Sequence, residues 1–247
     1  MIKFLVGVAV VIGVLVGLDR LAAHIAEDRV ATLVQREAHL PTRPAVQVDF
    51  PFLPQVFSGR YRSVTITATD IFTDRDGARV NDGARLRLQA DGVHLSLSDV
   101  LRGDFHRVPV DTLIGTVTVP FDRIAAAAPI PDLSLAAVPG EPDELAIDVP
   151  AGSAHIQVIV RVDVEGTAIV ISPVRVVGSG VGIVADATLR RQLGFRLAVP
   201  GLPTGMRLTT VEAGSDGVTV AAVGHDLVLH GGRAVAVGVT CAVGCQP

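Results

Sequence analysis

Seven histidines, His24, His39, His94, His106, His155, His225 and His230, are the side chains of this 247-residue chain best suited to acid–base chemistry. They stand singly along the sequence, and no G-x-S-x-G elbow supplies a nucleophile for them to activate. In "VRVVGSGVGIVAD", Gly178, Gly180 and Gly182 follow an apolar strand. The third glycine falls one residue early for a dinucleotide loop and the flanks read as hairpin strands, so a strand end or bulge is expected there. Asp70, Asp74 and Asp76 of "DIFTDRDG" miss the D-x-D-x-D-G calcium spacing and read as a solvated hairpin tip. Cys241 and Cys245, four apart in "TCAVGCQP", suit a small disulfide loop in an exported chain; a metal would need two further ligands. These patterns point to no catalytic constellation, no metal and no cofactor.

What remains is apolar chemistry. The stretch "DFPFLPQVFSGRY" gathers Phe50, Phe52, Leu53, Val56 and Phe57, so three of eight phenylalanines fall within eight residues, interrupted by Pro51 and Pro54. It is too broken for a clean strand or a long helix and too apolar for a solvent loop. "LAVPGLPTGM" repeats the theme with Val199, Leu202 and Met206. Two irregular apolar segments are what an opening for acyl chains needs, because adaptable walls can part without breaking regular hydrogen bonds. Taken singly, each of these side chains is as well explained as core. Arg60, Arg62 and Arg207 lie beside them in sequence and could pair with a phosphodiester.

The elements that must position these residues follow from periodicity. Lys3 precedes an uncharged run from Phe4 to Leu18 that stops at Asp19-Arg20. Fifteen residues suit a secretory h-region better than a span of about 20, and no clear A-x-A site follows. A cleaved signal over 1–19 and an uncleaved signal-anchor both fit, and either exports the rest of the chain. Leu18, Leu21, Ala22, Ile25, Ala26, Val30, Leu33 and Val34 then mark an amphipathic helix that Pro41 and Pro44 terminate. Beyond it, period-two alternation with β-branched residues predicts antiparallel strands. Asp-Gly turns at Asp76-Gly77, Asp82-Gly83, Asp91-Gly92 and Asp216-Gly217, and Glu165-Gly166, join them as hairpins. "SLSDVLRG", carrying Val100 and Leu101, and "PFDRIAAAAP", carrying Phe121 and Ile124, predict short helical insertions. The net charge of −4 and a single lysine argue against nucleic acid. Hydrophobic residues make up 49% of the chain, and with one long helix available to cover many half-apolar strands, a sheet curved around that helix is expected.

Three stretches in this order, "VDFPFLPQVFSGRYRSVTITATDI", "GVHLSLSDVLRGDFHRVPVDTLIGTVTVPFDRIA" and "GLPTGMRLTTVEAGSDGVTVAAVGHDLVL", resemble the blocks of the LmeA-like phospholipid-binding family of actinobacterial envelope proteins. The likeness covers about residues 25 to 230. It implies a non-enzymatic, exported lipid binder with an α+β fold similar to the tubular lipid-binding proteins, a long antiparallel sheet wrapped around a helix. Phospholipids, including phosphatidylinositol types, are the implied ligands, and a membrane surface in the envelope, where mannan-bearing glycolipids mature, is the implied setting. The Cys241/Cys245 pair and the polar hairpin "TDRDGARVNDGAR" depart from the family pattern. A single lipid-binding domain over 20–240 and a tail over 241–247 are expected. An envelope enzyme, or a partner of an envelope glycosyltransferase that holds no lipid, is the alternative.

Overall fold

The computed structural model describes residues 2–37, 40, 42–71, 83–102, 107–127, 132–151, 154–177, 195–198 and 202–229, with backbone alone for 2–12, 37, 97, 100, 101, 127, 150, 151, 154, 155, 195, 197 and 198. Asp74, Asp76, the Gly178–Gly182 stretch, Val199, Cys241 and Cys245 lie outside these residues.

The fold is mixed α+β with its long helix at the N-terminus. Helix α1 runs unbroken over Ile2–Glu37, so the uncharged run and the segment after it are one element. Among the described residues no helix is long and apolar enough to cross a membrane.

The strands form two antiparallel sheets, neither of them closed. The first contains β1 (Ala45–Val48), β2 (Arg60–Thr69), β3 (Arg85–His94), β4 (Val108–Val119), β10 (Arg207–Gly214) and β11 (Gly217–Leu229), in the order β1-β2-β3-β4-β11-β10. Its register lines up Val46, Ile66, Leu88, Gly115, Ala222 and Leu208 across all six strands, and Ala68, Leu86, Val117, Val220 and Val211 in the next row on that face. The opposite face carries Thr67, Arg87, Thr116, Ala221 and Thr210. One dry and one wet face is what the alternation requires. The second sheet runs β5 (Ser134–Val138), β6 (Glu141–Ala151), β7 (Ala154–Glu165), β8 (Ala168–Val177) and β9 (Phe195–Ala198) in chain order. Leu145, Ile147, Val158 and Val160 face inward; on the other face Arg161 bonds buried Glu144 at 2.9 Å and Asp143 at 3.1 Å.

Two covers share the dry face of the first sheet. The side of α1 bearing Ala22, Ala23 and Ala26 packs with Val48, Val64 and Ala90, while Val34 packs with Ala68 and Leu86. At the other end Leu145, Val158, Val160 and Val162 of the second sheet pack on Val211 and Val218. The Leu208 N–H donates to the Gly166 carbonyl at 2.9 Å and ties the sheets together. The helix buries its small residues and leaves Leu18, Leu21, Ile25 and Leu33 exposed. Alanines let the helix approach edge strand β1 and α2 closely, which the larger side chains of the expected apolar stripe would prevent.

The predicted turns divide in an informative way. Gly166 and Asp216-Gly217 do close the β7–β8 and β10–β11 hairpins. Asp91-Gly92 instead lies inside β3, with Gly92 at φ +64°. That left-handed residue interrupts the period-two pleat. Val93 and Ala90 therefore both reach the core although they are three apart, as do Val110 and Leu113 on β4. On β11, Asp226 at φ +51° sits at the same level. The break turns the row Tyr61, Val93, Val110 and Leu227 inward at the end of the sheet where the helices lie.

A Cβ on Gly92 would stand 2.1 Å from the Asp111 carboxylate as well as in a left-handed backbone. Gly92→Ala should therefore cost about 2 kcal/mol or more. Gly140→Ala, at φ +85° in open space, should cost only about 1 kcal/mol. Denaturant unfolding of the two variants checks the difference.

Candidate lipid-binding site

The apolar stretch after β1 is a helix, not an irregular segment. Helix α2 covers Phe52–Ser58, with Pro51 extended ahead of it and Gly59 left-handed behind it. Pro54 falls in the first turn, where a helix has no carbonyl waiting for its missing N–H, so it starts the helix without breaking it. The Gly59 N–H bonds Gln55 and Val56 carbonyls and closes the last turn. Pro51 offers no side chain to cap the free amides at the helix start.

Asp19 of α1 supplies that cap. Its carboxylate, only 5% exposed, accepts from the Phe52 N–H at 2.9 Å and the Leu53 N–H at 2.6 Å, across more than thirty residues of sequence. A carboxylate at two free amides satisfies both and complements the positive helix end. Gln55 makes the second attachment: its amide nitrogen donates to the Asp49 carbonyl at 2.7 Å and its oxygen accepts from the Arg62 N–H at 2.6 Å. Helix α2 is thereby fixed to α1 at one end and to the start of β2 in its middle.

This anchoring sorts the apolar residues of α2. Phe52 and Val56 are buried, Phe52 with its ring 6.2 Å from that of Tyr61. Leu53 is half-buried against the same cluster, and Phe57 is 78% exposed. Phe50 is exposed beneath the Arg20 guanidinium, 4.6 Å from its ring centre. The Tyr61 hydroxyl is buried without a hydrogen-bond partner among the described residues, and burial pushes its pKa up.

The remaining predicted residues fall around this point or away from it. Met206 is buried over Gly224 and near Gly115, where a Cβ on Gly224 would meet Met206 Cγ at 2.8 Å. Leu202 is half-buried on the same cluster. Phe121 and Ile124, on α4 (Phe121–Ala127), are half-buried against the cluster of the second sheet. Val100 and Leu101 lie on α3 (Leu97–Arg102), with their side chains outside the description. Val164, Ile169 and Val220 pack against both clusters and join them into one continuous apolar interior. Leu53 and Leu202 are half-buried against the first of these clusters alone.

Of the three arginines, Arg62 and Arg207 are exposed. Arg60 is engaged: its Nη2 donates to Asp111 Oδ2 at 3.2 Å, while His94 Nε2 lies 2.9 Å from Asp111 Oδ1. The hydrogen bond from His94, then that from Arg60, holds the Asp111 carboxyl below the usual carboxylate range. His94, Asp111 and Asp226 rim an open cleft of about 420 Å³ floored by Val110 and Leu227. Asp19, Gln55, Tyr61 and Asp111 were not among the residues expected to matter. Asp19 had a visible signal, a lone carboxylate directly ending an uncharged run, but that position also reads as the boundary of an export signal.

Replacing Asp19 by Ala should cost about 2–3 kcal/mol, because two buried amides lose a charged acceptor, and Asp19→Asn should cost less. Tyr61→Phe should leave stability unchanged or raise it, since a buried unpaired hydroxyl is removed. The Asp111 carboxyl should titrate below an ordinary aspartate by NMR and move back up in His94→Ala. The stabilisation it contributes is present above the ordinary carboxylate pKa and is lost as pH falls through its lowered native value.

No curated protein and no solved structure matches the chain significantly. The family model described as "LmeA-like phospholipid-binding" matches residues 17–223, a span that opens just before Asp19 and closes within β11. The match covers most of the chain, and the chain belongs to the LmeA-like phospholipid-binding family.

Proposed function

We propose that the protein works in the cell envelope after export, holding the acyl chains of a phospholipid along the seam where the two apolar clusters join at Val164, Ile169 and Val220. The observation that carries this reading is the apolar interior that continues from Phe52 and Met206 through Val164, Ile169 and Val220 to Val158 and Val160, bordered by half-buried side chains. A chain entering there displaces contacts between side chains and breaks no strand ladder. Each buried methylene contributes about 0.8 kcal/mol, so about ten of them outweigh one phosphate contact. Affinity then resides in the seam, and head-group preference, phosphatidylinositol types included, is weak.

Leu53, Val56, Leu202 and Met206 form the entrance in this reading, Phe121 and Ile124 the far wall, and exposed Arg62 and Arg207 are available to a phosphodiester. Val100, Leu101 and Val199 are assigned to the same lining, and Phe50 and Phe57 to its outer lip. The role that fits is carriage or presentation of lipid at a membrane surface, in transfer or in glycolipid maturation, by a single domain over 20–240. The chain acts as a binder, not as an enzyme.

Organic extraction of the purified full chain followed by mass spectrometry should find phospholipid, and chain freed of lipid should acquire it from liposomes. Absence of lipid in both experiments would contradict the proposal, and lipid turnover lost on replacing one histidine would favour an enzyme. Phe57→Asp should keep the native circular dichroism and slow uptake. Phe52→Asp should unfold the protein, with a loss of about 3–5 kcal/mol from the buried ring alone.

A further inference from the structure

The outer side of α1 has no counterpart in the lipid-holding interior. Val14, Leu15, Leu18, Leu21 and Ile25 are all exposed large apolar side chains. At 100° per residue Val14, Leu18, Leu21 and Ile25 lie within about 60° of one another, with Leu15 at their border. Val16, exposed as well, lies across the helix in the stretch 13–18 that is uncovered all round. The stripe continues the uncharged run Phe4–Leu18 along the same unbroken helix and gives way, on the same line, to exposed Arg29 and Arg36. The inner side of this same stretch is committed to the fold by Asp19, which caps α2, and by buried Ala23 and Ala31. Helix α2 in turn presents Phe57, 78% exposed.

We infer that this stripe, with Phe57, is a docking surface for a lipid bilayer, and that α1 stays on the working protein because Asp19 makes it part of the entrance. The occupant follows from continuity and charge. A second copy of the chain could cover five side chains, but the stripe runs into ten further uncharged residues of the same helix, Phe4 to Gly13. Only an apolar phase accommodates both. Arginines at the far end of the stripe suit lipid phosphates at head-group depth. Exposed Arg29 and Arg36 on the same line hold this stretch at head-group depth, which makes the seat interfacial. Removal of residues 1–19 as a signal would delete the cap on α2. The inference rests on the lipid-holding reading only for what docking is for, namely placing the α2 entrance against the lipid it takes up.

The test is site-directed spin labelling of the full chain in vesicles of phosphatidylethanolamine and phosphatidylglycerol. Leu21→Cys, Ile25→Cys and Phe57→Cys are each made in a background of Cys241→Ser and Cys245→Ser. Labels at the three positions should become more accessible to oxygen than to a water-soluble nickel chelate, whereas a label at Arg87→Cys, on the wet face of the first sheet, should not. Labels that stay in water, or that show dipolar broadening from a second copy instead of oxygen access, overturn the docking surface. Intact mass of the chain recovered from membranes should include Asp19; a mature chain that starts beyond it overturns retention of α1. Phospholipid found in the extracted protein in either case leaves the lipid-holding reading standing, so the two can fail separately.

Discussion

A single carboxylate, Asp19, joins the parts of this molecule that lie furthest apart in their roles. It belongs to the helix that begins as an uncharged apolar run, and it accepts from the first amides of α2. An unpaired buried carboxylate is costly, and so are free buried amides, so each demands the other. With α2 held there, Phe52 and Val56 enter the core and Phe57 is left outside. Position in the fold, not hydrophobicity, separates three similar side chains into two inner ones and one outer one.

The second constraint is the break in the pleat at Gly92. Regular alternation would give the first sheet one uniform dry face and nothing to seat α2 against. The left-handed Gly92 lets the Asp111 carboxylate lie across the strand between Arg60 and His94 and turns Tyr61, Val93, Val110 and Leu227 toward the helices. The polar outer cluster and the apolar inner one are two sides of the same backbone irregularity. That accounts for Arg60, which follows α2 and Gly59 in sequence yet is spent on Asp111.

Much of the fold was legible in the residue pattern. Period-two alternation marked the strands, prolines marked the end of α1, and "SLSDVLRG" and "PFDRIAAAAP" are the short helices α3 and α4. What could not be read were features whose cause lies elsewhere in the chain. Pro54 looked like a breaker because its harmlessness depends on falling in a first turn. Asp91-Gly92 has the composition of a hairpin turn and differs from Asp216-Gly217 only in what its neighbours pair with. The large apolar residues of α1 looked like its core stripe, whereas close approach to β1 and α2 selects the alanines. Leu53, Leu202 and Met206 were legible as an apolar set, but Val164, Ile169 and Val220, which join the two clusters, look like any other strand residues in sequence.

The proposed lipid reading places acyl chains in the seam where the two apolar clusters join at Val164, Ile169 and Val220. Photocrosslinking with a phospholipid carrying a diazirine near the end of one acyl chain, followed by peptide mapping, tests it most directly. The account predicts adducts on the peptides that contain Leu53, Val164, Ile169 and Leu202. Adducts confined to the outer face of α1, or to the wet face of the first sheet, would contradict it.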